Sequence, residues 1–280
     1  MAIVPKFVEV ADRIWVARYD WADVNITAIG GERGLVVVDT HGSAAAGRIV
    51  LGDLDRLSIG PVTHVVNSHW HWDHTFGNGA FREAVRDVPI HAHEEAALWL
   101  ADQGERMKQR FADSPDDPHR TEVAATEIVI PDRTFVNRQV VDLGDRLLEL
   151  VFFGRGHTSG DIVARVVDAN VVIAGDLVEE SAKPWIGKDS WPLEWPATLD
   201  RLLESITEQT LVIPGHGAMV DRQFVRAQRG EIAKIVETVR YLAGLGIPAD
   251  RAASEGEWPW EVDERIHNAV SRGYETLLGA

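Results

Sequence analysis

The chain contains no cysteine, which excludes disulfides, thiolate zinc ribbons and a cysteine nucleophile and fits a reducing compartment. Any metal must then be held by nitrogen and oxygen. Basic side chains are scarce as well: 28 Lys and Arg stand against 44 Asp and Glu, a formal net charge of -16. Such a surface repels phosphate backbones and anionic lipid, so the expected partner is a small-molecule substrate, with no nucleic acid and no membrane. There is also no uninterrupted apolar run of about eighteen residues, and the opening MAIVPKFVEVADRIW has no basic stretch leading into an apolar one. These absences give the expectation of a soluble, cytoplasmic protein.

What is present is enough chain, 280 residues, to bury about three quarters of its unfolded surface. RIWVARY, NITAIGGERGLVVVDT and VTHVVNS read as short strands with Gly-Gly and Arg-Gly turn signals. From Glu94 to Phe111 the composition is helical, and ADSPDDPHR after it is a loop. A second β-rich part follows in RQVVDLG, LLELVFFG, DIVARVVDAN and VVIAGDL, and from about Asp221 the chain is mostly helical. Without a low-complexity linker, one domain over residues 1–280 with two β-rich halves is expected.

The chemistry is concentrated in NSHWHWDHTFGN, residues 67–78. His69 and His71 are two apart and point the same way from an extended segment, while Asp73 and His74 follow closely enough to face the same cavity. Exposed histidines in a polar loop are the bland alternative, and further ligands downstream decide against it. His157, Asp176 and His216 each stand at the end of an apolar strand, in FFGRGHTSGD, VVIAGDLV and LVIPGHG. Alone each would read as a turn or capping residue; together they make the inventory of a two-metal site.

In this order and spacing, HxHxDH followed by His, Asp and His, the chain resembles the metallo-β-lactamase superfamily over roughly residues 10–217. The resemblance implies an α/β fold, the four-layer αβ/βα sandwich with two mixed β-sheets face to face, helices outside and metals at one edge. It implies that His69, His71 and His157 hold one metal, that Asp73, His74 and His216 hold the other, and that Asp176 bridges them. Two Zn²⁺ per chain are expected, with Fe or Mn admitted by the same hard ligands. The implied activity is hydrolysis of a carbonyl ester, lactone, amide or thioester by a hydroxide shared between the metals, with Asp73 moving its proton to the leaving group. Asp39, in VVVDT, stands where the family has a buried supporting aspartate, and Thr158 and Asp161 are further candidates to hold the ligand histidines in place.

Trp70 and Trp72 alternate with the ligand histidines and are expected to face away from the metals, as core or as pocket wall. His91 and His93 share the two-residue spacing but have no further ligands to complete a site, and read as a strand end entering a helix. EESAKPWIGKDSWPLEW, after Asp176, offers Lys183, Trp185 and Trp191 as an aromatic pocket with one cation. Glu179 stands where many relatives in the family carry a substrate-binding lysine or tyrosine, and an acid there disfavours a carboxylate substrate. The alternatives are a β-lactamase, an iron-dependent oxidoreductase like the persulfide dioxygenases, and a phosphodiesterase or nuclease, which the net charge opposes.

Overall fold

The computed structural model describes residues 6–279. Its first half runs β1 (Val8–Ala11), β2 (Ile14–Tyr19), β3 (Val24–Gly31), β4 (Gly34–Val38), α1 (Ala44–Leu57), β5 (Val62–Val66), α2 (Trp72–Thr75), α3 (Asn78–Ala84), β6 (Ile90–His93), α4 (Glu94–Ala112), α5 (Arg120–Ala124) and β7 (Arg133–Phe135). The second half runs β8 (Arg138–Asp142), β9 (Leu147–Val151), β10 (Val163–Val166), β11 (Val171–Glu179), α6 (Trp195–Ser205), β12 (Leu211–His216), α7 (Arg222–Gly244), α8 (Ala249–Glu255) and α9 (Glu264–Leu278). The helix expected from Glu94 and the helical tail from about Asp221 are found at α4 and α7–α9. Helix α1 lies between two strands of the sequence reading, in a stretch to which it assigned no element. It starts because the Ser43 side chain accepts from the Ala46 N–H, and it ends at Ser58 in a left-handed conformation.

Four layers follow from the alternation of side chains along single strands. In β4, Val36 and Val38 enter a core between the halves while Val37 packs with Val50 and Leu54 of α1 on the other face. In β11, Val171 and Ile173 enter the same central core, whereas Val172 and Ala174 face α6, α7 and α9. The central core therefore joins Ile14, Val36 and Val66 of the first half to Leu148, Leu150 and Ile213 of the second. Burying each of these aliphatic side chains is worth about 1.5–3 kcal/mol.

β4, β5, β6 and β7 are parallel neighbours, as are β11 and β12. The two halves join in one hydrogen-bonded ladder through a single pair, His216 with Val24. Parallel strands direct their carboxyl ends to one edge, which is where α/β sheets present ligands. Asp39 follows β4, Ser68 and His69 follow β5, and His216 is the last residue of β12. Asp176 lies inside β11 rather than at its end, just after the register of β11 against β12 breaks at Gly175, which has φ +53°. No helix among the described residues is long and apolar enough to cross a membrane.

Candidate metal centre

The strand ends bring together two groups of ligand atoms, His69, His71, His157 and Asp176 in one and Asp73, His74 and His216 in the other, with the atoms of each group within 4.8 Å of one another. Asp176 also groups with Glu179 and His216. Its carboxylate lies between the two sets, 3.4 Å from His157 Nε2 and 3.7 Å from His69 Nε2 on one side and 3.2 Å from His74 Nε2 and from His216 Nε2 on the other. A tetrahedral ion with ligands at ~2.0–2.1 Å has ligand-to-ligand edges of about 3.3 Å. His74 Nε2 to His216 Nε2, at 3.3 Å, and Asp73 Oδ2 to those nitrogens, at 3.5 and 3.4 Å, match such edges.

Each imidazole is oriented by its other nitrogen. His71 donates Nε2–H to Asp189 at 2.9 Å, His157 donates Nδ1–H to the Trp185 carbonyl at 3.0 Å, and His216 donates Nδ1–H to the Ala22 carbonyl at 2.8 Å. His69 donates Nδ1–H to Ser68 Oγ at 3.0 Å, and Ser68 Oγ donates onward to Asp39 Oδ2 at 2.8 Å. The same Asp39 oxygen accepts from His74 Nδ1 at 2.8 Å. Asp39 thus holds one imidazole of each group, a role the family resemblance implies for it. It does so from φ +66°, with His41 next to it at φ +76°, a local cost of the kind that clusters at functional sites.

These partners leave Nδ1 of His71 and Nε2 of His69, His157, His74 and His216 turned inward as acceptors. His69 Nε2 and Asp176 Oδ1 are buried with no hydrogen-bond partner, the 3.2 Å approach of His74 to that oxygen lacking hydrogen-bond geometry. Buried acceptors facing one another repel unless a cation lies among them, so the donor set fits metal ions. Burial lowers His69 well below the ordinary histidine range and lowers His157 to about 4. For His216 burial is outweighed by Asp176, and its pKa rises to about 10; His74 is raised in the same way. A metal ion taken up on that side would displace protons.

Thr158 and Asp161 do not reach a ligand imidazole. Asp161 accepts from the Thr158 N–H at 2.9 Å and from its hydroxyl at 2.6 Å, bracing the loop that carries His157. Trp70 is buried as expected, its ring 5.8 Å from that of Trp99. Trp72 is a pocket wall, one of the two expected roles, but on the side of the metal groups rather than away from them, because Trp72–Thr75 is helical and breaks the extended alternation. That cavity, about 280 Å³, is also bordered by Asp73, Glu179 and Trp185. Lys183 and Trp191 are not brought to it. Lys183 turns to Glu231, with both oxygens at 2.9 Å, and Trp191 lies under the Arg155 guanidinium at 3.6 Å. His93 caps α4, accepting from the Glu95 N–H, and donates to the Val136 carbonyl.

Asp189 is the residue that sequence reading missed. It accepts from both His71 Nε2 and Trp70 Nε1 at 2.9 Å, and these charges and donors overcome burial to hold its pKa low. Nothing in GKDS distinguishes it from a turn aspartate; only the return of this loop across the histidine motif does. Asp189→Asn is expected to lower metal affinity about 10–100-fold with the fold retained, as titration with a competing chelator and the unfolding temperature of the metal-free protein would show.

Residues 19–218 match the family model described as the Metallo-beta-lactamase superfamily. A Bacteroides fragilis metallo-beta-lactamase type 2 is 20% identical over 251 residues, covering 83% of this chain and 91% of its own. A linear primary-alkylsulfatase from Pseudomonas sp. (strain ATCC 19151) is 26% identical over 265 residues, and 49% of its length is matched, so the chain spans about half of that relative. Among solved structures, a metallo-beta-lactamase from Pontibacter korlensis has a TM-score of 0.66 at 21% identity over 81% of this chain and 98% of its own. The sec-alkylsulfatase Pisa1 from Pseudomonas sp. has a TM-score of 0.77 at 19% identity over 99% of this chain and 50% of its own. The fold is that of these proteins, and the chain belongs to the metallo-beta-lactamase superfamily.

Proposed function

We propose that this protein is a hydrolase of small molecules that holds two zinc ions and cleaves a carbonyl ester, lactone, amide or thioester. The observation that carries the reading is the pairing of inward-facing ligand atoms with an open cavity. A structural zinc site is closed by four protein ligands, whereas these groups border about 280 Å³ of space beside Asp73 and Trp185. His69, His71 and His157 would hold one ion, Asp73, His74 and His216 the other, with Asp176 between. Bound divalent metals supply Lewis acidity, lowering the pKa of water toward about 7 and polarising a carbonyl.

The chain supplies placement and proton transfer. Asp73 directs Oδ2 at His74 and His216, which leaves Oδ1 to take the proton of the attacking water and return it to the leaving group. Trp72 and Trp185 wall the cavity and give a substrate apolar surface to lie against. Glu179, raised to about 7 by burial and by the Asp176 carboxylate, offers no positive charge to a substrate anion there.

Relatives named metallo-beta-lactamases suggest a β-lactam, but Lys183, the nearest lysine in sequence to the family's anchoring position, is paired with Glu231. A glutathione thioester would want free basic residues on the C-terminal helices, yet Arg222 and Arg226 are paired with Glu208 and Arg229 with Asp200. Cleavage of an alkyl sulfate is the second reading, favoured by alignment of an alkylsulfatase with 99% of the chain. Metal-replete protein assayed on lactones, thioesters, aryl esters, β-lactams, alkyl sulfates and phosphodiesters separates these readings. Turnover of carbonyl substrates is expected; turnover of sulfates or phosphodiesters alone would contradict the proposal. A coloured protein holding one iron and consuming oxygen would replace it with the oxidoreductase.

A further inference from the structure

Beside the metal cavity lies a second one of about 350 Å³, and the two share His71, Met107 and Trp185 as a common wall. Its floor is aromatic, formed by Trp70, Trp99 and Trp185, and its rim carries Arg106, Arg110 and Lys188. On α4 the lining positions 99, 103, 106, 107 and 110 recur at helical spacing, so one face of the helix presents both the apolar and the cationic groups.

Most arginines of this acidic chain are engaged in ion pairs, such as Arg18 with Asp23, Arg138 with Glu149 and Arg229 with Asp200. Among the described residues none pairs with Arg106, Arg110 or Lys188, and each is exposed. The acids at this cavity do not neutralise them. Asp189 is engaged by His71 and Trp70, and Glu264, on α9, makes no ion pair among the described residues. The metal cavity is lined by no lysine or arginine and by three carboxylates, Asp73, Asp176 and Glu179. The unpaired cations of the second cavity give an anionic end of a substrate a site of its own beside the metal cavity, apart from the ligand atoms.

We propose that this second cavity selects the substrate: a small amphipathic molecule whose apolar body lies along Trp70, Trp99 and Trp185 and whose carboxylate is held by Arg106 and Arg110. The scissile carbonyl then enters the metal cavity past Met107. This deepens the hydrolase reading and rests on it for its catalytic consequence, while anion binding itself is measurable without turnover. Arginine suits the task because its planar fork matches a carboxylate, and an exposed pair of this kind weakens with added salt.

The test is calorimetric titration of the metal-replete protein with 1-naphthylacetate and with its neutral analogue 1-naphthylacetamide. The carboxylate is expected to bind about tenfold tighter, and the preference to shrink to within about twofold in the Arg106→Ala/Arg110→Ala double variant. Both side chains are exposed, so the variant is expected to keep the parent's unfolding temperature, which shows that a lost preference is not lost folding. Equal binding of the two probes would overturn the proposal. So would a preference that survives the double variant and vanishes on chelation, which would place the carboxylate on the metals. Arginine-dependent binding in a metal-replete protein that hydrolyses no ester, lactone, amide or thioester would uphold the anion site and sink the hydrolase reading.

Discussion

Asp176→Ala loses bound metal and about 10³-fold or more in kcat/KM. Its carboxylate is the group within reach of both ligand sets, 3.2–3.7 Å from His69, His74, His157 and His216, and it is buried. Truncation removes a proposed ligand and leaves several imidazoles crowded without a counter-charge, so ions would bind poorly and Lewis acidity worth several kcal/mol would go with them. At about 1.36 kcal/mol per tenfold, that loss gives the stated factor. His157→Ala is expected to act in the same direction. His93→Ala is the control: it removes a helix cap and a bond to the Val136 carbonyl, costs about 1 kcal/mol of stability, and leaves metal and activity nearly intact. Elemental analysis and kcat/KM on one substrate check all three, and loss of metal from His93→Ala would mean that the ligand set is wrong.

Gly77→Ala has the largest expected effect on folding. A Cβ at this position would overlap the Thr40 backbone carbonyl, and the Gly77 N–H donates to the His41 carbonyl at 2.9 Å. The obstacle is backbone rather than a movable side chain, so α3 and the segment after β4 must separate. That segment carries Asp39, and Thr40 N–H is bonded to the His74 carbonyl at 2.9 Å, which ties the damage to the candidate metal ligands. A destabilisation of about 3 kcal/mol is expected, seen as a fall in Tm of roughly 6–10 °C. Gly230→Ala, inside α7 with nothing within 4 Å of the added carbon, should instead raise stability by about 0.5–1 kcal/mol. Equal Tm for the two variants would refute the packing account.

The ligand candidates were legible in the sequence because their spacing is set by backbone geometry within short stretches. His69 and His71 sit two apart after a strand, and His157, Asp176 and His216 each follow or interrupt an apolar one. The two β-rich halves were legible for the same local reason, since strand-length apolar runs and turn residues recur through both, whereas their packing into four layers came only with the family resemblance. Contacts made by loops that return across the molecule were not legible. Asp189 reaches His71 from 118 positions away, and Lys183, six residues earlier, turns to Glu231 on α7 instead of the metals. The path of residues 180–194 is fixed by contacts such as Ser190 Oγ to the His157 carbonyl and Asn268 to the Ile186 carbonyl, none of which leaves a periodic trace. Thr158 and Asp161 satisfy each other within one turn, an outcome their types allow but do not distinguish from reaching a ligand histidine. Residues 94–111 were legible only as a helix; the cationic face that α4 turns to the loop after β11 was not.

Metal content measured together with turnover tests the central claim most directly. The purified chain, assayed on the ester it cleaves fastest, should carry two zinc ions, lose activity when a chelator removes them, and recover it when zinc is restored. Full activity in the metal-free protein would contradict the account.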